Sequence, residues 1–206
     1  MRIVLTMLRP DELAVRLEEL GHDVVLRPLV AVEPFGDEPV DVADYDWIVL
    51  TSVVGAQELR RRLRGTPRRV AAIGAATAAA FGGADLVPRV STQEGLLAEL
   101  PRPAGRVLFA GAQGARRLLV DELEADFVPL YRTLELEPEQ PLAGDLVVLA
   151  SPSAARAYAR AGAVLPAVSI GPETTAAARE LGTDVVAEAD THDLEGLVRA
   201  VALAAG

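Results

Sequence analysis

Small hydroxyl residues and glycines directly follow several apolar segments of the chain, at places where they could bind an anion. Glycine lets backbone N–H groups approach a ligand closely, and serine and threonine cap helices, whose N-termini stabilise a nearby negative charge by about 0.3 to 1 kcal/mol. We therefore expect carboxylate binding that needs no broad basic surface. Helix capping alone is a sufficient explanation of any single serine. The residues concerned are Thr51, Ser52, Gly74 and Thr77 in the first half of the chain, and Ser151, Ser153, Gly171, Thr174 and Thr175 in the second.

The two sets fall at equivalent places in a tandem duplication. Residues 2–34 resemble residues 106–138, and Ser52 in YDWIVLTS recurs as Ser151 in GDLVVLAS. IGAAT recurs as IGPET and EGL recurs unchanged, always in the same order. A period of about 100 residues is longer than that of solenoid repeats, so the duplication predicts two similar domains with a ligand between equivalent surfaces.

The elements that must position these residues alternate between strands and helices. In the first copy, residues 3–6 and 23–26 are apolar enough to form strands, and Leu13, Leu17 and Leu20 share one face of a helix between them. The same pattern recurs in the second copy. It predicts an α/β fold with parallel sheets and helices on both faces.

Capping signals predict where several helices begin and end. Ser52 and Ser151 are expected to be N-caps, and the helix that follows Ser52 is expected to run through Leu63. Residues 91–94 (STQE) have the spacing of a capping box, in which the first residue is the cap. Gly82 is expected to end a helix.

Composition excludes several classes of function. The chain has 206 residues and a formal charge of −10, so nucleic acid and anionic membranes are not expected partners. No apolar run approaches the roughly 20 residues of a membrane span, and the N-terminus has the pattern of a strand rather than of a signal peptide. We expect a cytoplasmic protein.

Metal and nucleotide sites are not expected either. Cysteine is absent, and the two histidines, His22 and His192, follow patterns typical of solvated loops. No Walker lysine follows the glycines, and residues 111–114 (GAQG) are too short for a dinucleotide fingerprint. The sequence therefore predicts neither a metal nor a cofactor.

Six arginines crowd into residues 60–69 (RRRLRGTPRR). Cations favour the C-terminal end of a helix, so a solvated helix end explains this cluster. A surface for an acidic partner or for the substrate is the alternative.

The ordered set of motifs resembles the uroporphyrinogen-III synthase family. The resemblance rests on LRP after the first strand, YDWIVLTSVVGA, VAAIGAATAAA, the LYRT connector, VVLASPSAARAY and SIGPETTAAARELG. It spans nearly the whole chain. Each motif is short, so the order and the spacing carry the specificity.

The resemblance implies an interlaced architecture. It implies two similar doubly wound parallel-sheet (flavodoxin-like) domains joined by a two-stranded extended linker, with the substrate in the cleft. The first domain would combine residues 1–33 with residues 140–206, and the second would be residues 36–128. Residues 34–35 and 129–139 would be the linkers.

The resemblance also implies a reaction and a set of site residues. The family is a hydro-lyase of haem biosynthesis that closes hydroxymethylbilane, a linear tetrapyrrole, to uroporphyrinogen III with loss of water and inversion of ring D. Tyr131 matches the connector tyrosine that is thought to help the hydroxyl leave, and a phenol is a plausible weak acid. Ser52, Thr77, Ser151, Gly171 and Thr174 match cleft positions, and Arg9 matches the arginine after the first strand. Where relatives often carry an arginine, residues 111–113 read GAQ, and Arg116 would compensate.

Two other functions fit the same residues. A two-domain binding protein could close on a small anionic ligand without chemistry, and a regulatory domain could use residues 60–69 to contact an acidic partner. Nothing in the sequence indicates a partner chain, so we expect a monomer. The expected binding partner is the small-molecule tetrapyrrole substrate.

Overall fold

The structure is a computed structural model that describes all 206 residues, and it is an α/β protein with mostly parallel sheets. The prediction of the α/β class is confirmed. The strands are β1 (Arg2–Leu5), β2 (Asp23–Leu26), β3 (Val30–Pro34), β4 (Val40–Asp41), β5 (Trp47–Leu50), β6 (Leu63–Arg64), β7 (Val70–Ala72), β8 (Val107–Ala112), β9 (Asp126–Glu135), β10 (Leu146–Leu149), β11 (Ala167–Ser169) and β12 (Val185–Glu188). The helices are α1 (Asp11–Glu19), α2 (Val53–Arg62), α3 (Ala75–Phe81), α4 (Gln93–Glu99), α5 (Leu118–Leu123), α6 (Pro152–Arg160), α7 (Pro172–Glu180) and α8 (Leu194–Ala205).

The first five-stranded sheet has the order β12-β11-β10-β1-β2, and its neighbouring strands are parallel. Ile3, Val4 and Leu5 of β1 are fully buried because helices cover both faces of this sheet. Ile3 and Leu5 pack on one face and Val4 on the other, as the two-residue period of a strand requires. The continuous apolar run of β1 follows from this double burial.

The second five-stranded sheet has the order β3-β9-β8-β5-β7. Its strands β5, β7, β8 and β9 run parallel, with Leu50 opposite Ala110 and Ala112 opposite Tyr131. A separate parallel pair joins β4 to β6. The carboxyl ends of β5 and β8 therefore meet at one edge, which is where open α/β sheets bind ligands.

The contacts divide the chain into two compact units. Unit 1 consists of Met1–Ala31 and Leu134–Gly206, and unit 2 of Val32–Thr133. The chain passes between the units twice, within β3 and within β9. Both connections are therefore extended strands.

Three local expectations are wrong. Leu20 follows the end of α1 and is 55% exposed, so Leu13 and Leu17 alone of the predicted leucines bury the helix face. Helix α2 ends at Arg62, and Leu63 begins β6 because it pairs with Val40. The cap of α4 is Thr92, whose side chain accepts a hydrogen bond from Gly95 N at 3.0 Å, so the STQE capping box does not form.

The arginines of residues 60–69 mostly have partners inside unit 2. Arg62 is 9% exposed, and it donates to the backbone carbonyls of Glu38 at 2.7 Å and Phe35 at 2.9 Å. Its guanidinium therefore fastens the segment after β3 to α2. The other pairs are Arg61 with Glu58 and Asp37, Arg64 with Asp41, Arg68 with Asp46, and Arg69 over the ring of Trp47.

None of the helices is both long enough and apolar enough to cross a bilayer.

Candidate active site

The carboxyl edge of the second sheet brings Ser52 and Tyr131 together. Ser52 follows β5, and Tyr131 lies in β9 opposite Ala112 at the end of β8. The Ser52 Oγ and Tyr131 hydroxyl oxygens are 2.9 Å apart, which is a hydrogen bond. The fold thus joins two residues that are 79 positions apart in the sequence.

Ser52 is also the N-cap of α2, as predicted. Its backbone is extended, with φ −159° and ψ 151°, and its Oγ accepts a hydrogen bond from Gly55 N at 3.0 Å. Gly55 packs tightly here, since a Cβ at that residue would lie 3.0 Å from Ser52 Oγ and 3.5 Å from the Cα of Gly111. The first turn of α2 is held against the end of β8 by this close approach.

Tyr131 is a buried phenol. Its side chain is 6% exposed and packs in the core with Ile48, Leu59 and Leu108. Burial raises the pKa of the Tyr131 phenol above its usual value of 10.0, and the hydrogen bond with Ser52 offsets part of that rise. The phenol is therefore protonated at neutral pH and can donate a proton, but it cannot act as an anionic nucleophile.

The other predicted hydroxyl and glycine residues of unit 2 lie at the same edge or beside it. Gly74 is the N-cap of α3 without a side-chain bond, and Thr77 in its first turn is 4% exposed. Thr51 is partly exposed, and a Cβ at Gly111 would lie 3.7 Å from its Oγ1. Because the Thr77 side chain points into the core, this helix end can offer backbone N–H groups but not that hydroxyl.

In unit 1, Ser151 repeats the cap of Ser52. Its Oγ accepts a hydrogen bond from Ala154 N at 3.1 Å, and Pro152 occupies the first turn of α6, as predicted. Ser153 Oγ accepts a hydrogen bond from Arg156 at 3.0 Å. Arg156 in turn binds Glu135 at 2.8 Å, so the start of α6 presents hydroxyls beside a paired arginine.

The N-terminus of α7 brings Gly171, Thr174 and Thr175 together, but the two threonines point inward. Thr174 is 2% exposed and Thr175 is 6% exposed. Thr175 Oγ1 lies 2.5 Å from Ser169 Oγ and also donates to the carboxylate of Glu188. Because its hydroxyl is engaged inside the unit, Thr175 cannot offer that hydroxyl to a ligand at the start of α7.

The two predicted arginines lie in loops of different units, Arg9 in unit 1 and Arg116 in unit 2. Arg9 is exposed in the loop between β1 and α1. Arg116 forms a bidentate pair with Glu94, with distances of 2.8 and 3.2 Å. The Arg116 guanidinium lowers the pKa of Glu94 to about 2, so the charge of Arg116 is already balanced within unit 2.

Comparison with known proteins decides the family. The family model described as Uroporphyrinogen-III synthase HemD matches residues 11–199. The chain belongs to the uroporphyrinogen-III synthase family. It is 28% identical to "Uroporphyrinogen-III synthase" of Synechococcus elongatus over 91% of this chain and 88% of that protein. It is also 28% identical to "Putative uroporphyrinogen-III synthase" of Methanocaldococcus jannaschii, over 66% of this chain and 64% of that one.

A solved structure supports the fold. The crystal structure of a mutant uroporphyrinogen III synthase from Thermus thermophilus matches with a TM-score of 0.65 and 19% identity. The match covers 100% of this chain and 98% of that chain. At 19% identity, this match shows that the two chains share a fold.

In this member of the uroporphyrinogen-III synthase family, the position of His192 beside Gly171 was not predicted from the sequence. Its imidazole packs on Gly171 so closely that a Cβ at Gly171 would lie 2.6 Å from the ring. His192 is exposed, as predicted, and it lies at the N-terminus of α7. The signal was available, because His192 follows β12, which neighbours β11 in the sheet, and loops after parallel strands share one edge.

Glu135 is a second charged or titratable residue beside these helix ends that the sequence did not predict. Burial alone would raise its pKa, but hydrogen bonds from Arg156 and Arg160 lower the pKa of Glu135 below its usual value. Glu135 therefore stays ionised beside α6, between Arg156 and Arg160. No local pattern marks it, since its partners lie in a helix that begins at Pro152.

Proposed function

We propose that the chain closes hydroxymethylbilane to uroporphyrinogen III with loss of water and inversion of ring D, and that Tyr131 supplies the proton with which the hydroxyl leaves. Membership of the uroporphyrinogen-III synthase family supports the reaction. The observation that carries the role of Tyr131 is its hydrogen bond with Ser52 at the carboxyl edge of the second sheet.

A buried phenol suits this reaction because the leaving step needs a proton and no strong nucleophile. The raised pKa of Tyr131 keeps the phenol protonated until a strongly basic leaving oxygen develops. Its position at the N-terminus of α2 also favours the negative charge that remains on the phenolic oxygen.

The helix N-termini bind the acetate and propionate groups of the substrate in this proposal. Backbone N–H groups at Gly74 and Gly171, and the hydroxyls of Thr51, Ser151 and Ser153, are the donors that each unit offers. The buried Thr77 and Thr174 shape those turns rather than contact the ligand through their hydroxyls. Arg9, exposed after β1, pairs with a propionate.

The two units serve as two flavodoxin-like domains in this proposal. Numbering the strands of unit 1 along the chain gives the order 2-1-3-4-5, which is the order of doubly wound flavodoxin-like sheets. The cytoplasmic location and the monomeric state stay predictions.

The test is product analysis with freshly generated hydroxymethylbilane. We expect the type III isomer from the wild type, whereas the uncatalysed reaction gives the type I isomer. Tyr131→Phe should lower kcat by roughly 10²-fold or more with a much smaller change in KM, because it removes a proton donor and keeps the packing of the ring.

Tyr158→Phe is the matched control. Tyr158 is a buried tyrosine of unit 1 whose hydroxyl donates to the carbonyl of Leu165 at 2.8 Å, outside the proposed site. Its loss should reduce stability by about 1 kcal/mol and leave the isomer ratio unchanged. Saturable binding of the substrate by the wild type with only type I product would refute the reaction and favour a non-catalytic binding protein.

A further inference from the structure

We propose that Ser52 is a second catalytic residue, whose hydroxyl passes the proton of Tyr131 to the departing hydroxyl of the substrate. This proposal rests on the proposed function. It differs from direct donation by Tyr131 in the group that touches the substrate.

The hydrogen bonds around Ser52 Oγ give the relay its direction. A hydroxyl oxygen accepts up to two hydrogen bonds and donates one. Gly55 N–H takes one acceptor position of Ser52 Oγ at 3.0 Å. The buried phenol of Tyr131 needs an acceptor for its proton, and Ser52 Oγ is in place at 2.9 Å. With both acceptor positions of Ser52 Oγ filled, the hydroxyl hydrogen of Ser52 points away from Gly55 and Tyr131.

The relative exposure of the two hydroxyl groups gives the same order. Tyr131 is 6% exposed and belongs to the core, whereas Ser52 is partly exposed at the helix start. A substrate that approaches the carboxyl edge of the sheet therefore meets Ser52 first. The Tyr131 phenol lies deeper than Ser52 and supplies the proton that Ser52 passes on.

The surroundings stabilise the charge that the relay leaves behind. Helix α2 has ten residues, and its N-terminus carries partial positive charge next to Ser52. Gly55 N–H keeps its bond to Ser52 Oγ throughout, so the oxygen does not have to reorganise. The phenolate formed on Tyr131 keeps a hydrogen bond from Ser52 in place of the one that it gave.

The step balances as a single proton relay. The Tyr131 O–H bond breaks as Ser52 Oγ takes that proton, and Ser52 gives its own proton to the hydroxyl oxygen of the substrate. The C–O bond breaks with its electron pair on oxygen, and water leaves. The pyrrole nitrogen supplies electrons to the methylene carbon, and Tyr131 regains a proton when the ring that attacks this carbon loses one.

The second copy of the cap lacks this relay. Ser151 caps α6 in the same way, with Ala154 N at 3.1 Å. At the position that matches Tyr131 in the duplicated sequence, unit 1 carries Arg27, which donates to Gln140 at 2.9 Å. A serine cap of this kind therefore forms without a tyrosine beside it, as at Ser151. Tyr131 is not needed for the cap, which is expected of a catalytic residue.

The experiment compares kcat and KM of Ser52→Ala, Tyr131→Phe and the double variant in the isomer assay. We expect Ser52→Ala to lower kcat by about 10²- to 10⁴-fold, as much as Tyr131→Phe, with KM changed less than about threefold. The double variant should lose no more than either single variant, because both remove one relay. Ser52→Thr keeps the hydroxyl and should recover most of the activity.

Two further variants separate catalysis from folding. Thr92→Ala removes an equivalent cap in unit 2, at α4, and should lower stability like Ser52→Ala while kcat stays near that of the wild type. Ser52→Gly keeps the helix start with a loss of only a few tenths of a kcal/mol in capping, so it tests the hydroxyl even if Ser52→Ala folds poorly.

The outcomes distinguish this inference from the proposed function. Full kcat in Ser52→Gly, or multiplied losses in the double variant, would overturn the relay while the wild type still makes the type III isomer. Type I product alone from the wild type would overturn the proposed function itself.

Discussion

Each of the two EGL motifs carries a glycine that packs against a backbone carbonyl with no room for a Cβ, so alanine at either position should destabilise the fold. Gly95 and Gly196 occupy the first turns of α4 and α8, and each donates its N–H to the side chain of the N-cap residue. A Cβ on Gly95 would lie 2.1 Å from the carbonyl oxygen of Val90, and one on Gly196 would lie 2.1 Å from that of Thr191. Both obstacles are backbone atoms, so no side-chain rotation relieves them.

The expected cost follows from this geometry. Carbon and oxygen atoms need about 3.2 Å, so the loop and the helix start must separate by about 1 Å. That movement strains the packing by about 1 to 3 kcal/mol and weakens a cap worth about 1 kcal/mol. The higher helix propensity of alanine returns about 1 kcal/mol. The net loss is about 1 to 3 kcal/mol, and each kcal/mol lowers Tm by about 2 to 4 °C in a chain of this size.

Gly196→Ala should be the more damaging of the two. Thr191 Oγ1 is also 2.7 Å from the Cβ position, and it is held by Asp193 at 2.8 Å and Arg199 at 2.9 Å. The loop before α8 therefore has less freedom to move than Val90, which is 60% exposed.

Thermal and urea unfolding followed by circular dichroism measure both effects. Gly114→Ala is the matched control, because nothing lies within 4 Å of its Cβ position, and it should leave Tm unchanged within about 2 °C. If Gly95→Ala and Gly196→Ala behave like this control, the close approach does not explain the repeated glycine.

Two further predictions concern arginines. Arg62→Met should lower the free energy of unfolding by about 2 to 3 kcal/mol in urea titrations, because it leaves two backbone carbonyls without their donor. Arg60→Met, at an exposed position, is the control and should change the free energy of unfolding by less than about 0.5 kcal/mol. Equal effects of the two substitutions would contradict the structural role of Arg62. Because Arg116 lowers the pKa of Glu94 from 4.5 to about 2, their pair stabilises the fold fully above pH 4.5 and loses this contribution as the pH falls towards 2. Since the side chains are 41% and 57% exposed, the contribution is at most about 1 kcal/mol, and Glu94→Gln should flatten the pH dependence of unfolding by that amount between pH 4.5 and 2.

Much of the fold is predictable from the sequence where a local rule decides it. The caps at Ser52 and Ser151 and the helix end at Gly82, which has φ 112°, follow from side-chain chemistry and backbone sterics alone. The end of α2 could not be predicted, because Leu63 leaves the helix to pair with Val40, a contact distant in sequence. The cap at Thr92 differs from the predicted one by a single residue, which capping patterns do not resolve.

The site is less predictable because it depends on side-chain direction. Thr174 and Thr175 both fit the pattern of a ligand-binding threonine, yet both are buried, and the hydroxyl of Thr175 turns to Ser169 and Glu188. His192 has the pattern of a solvated loop residue and is exposed, yet the sheet order brings it onto Gly171. Residue type determines which hydrogen bonds a side chain can form, whereas the sheet order and register determine which residues lie within its reach.

The meeting of Ser52 and Tyr131 depends on an exchange between the two copies of the repeat. Strand β8 of the second copy pairs with β5 of the first, and β9 lies beside it, so Tyr131 of the second copy reaches Ser52 of the first. In unit 1 the exchange is reciprocal, because β1 of the first copy pairs with β10 of the second.

Without this exchange, each copy would fold on itself, and Ser52 would face the position of Arg27 instead. An arginine keeps its proton at any physiological pH, so it could bind a carboxylate there but could not supply the proton for loss of a hydroxyl. The sequence is compatible with either pairing, since both leave the apolar pattern of the strands unchanged. Because the second copy carries Tyr131 where the first carries Arg27, the proton donor lies beside a serine in one unit only, and the exchange makes that serine Ser52 rather than Ser151. A reaction that treats one end of a linear substrate differently from the other requires such an asymmetry.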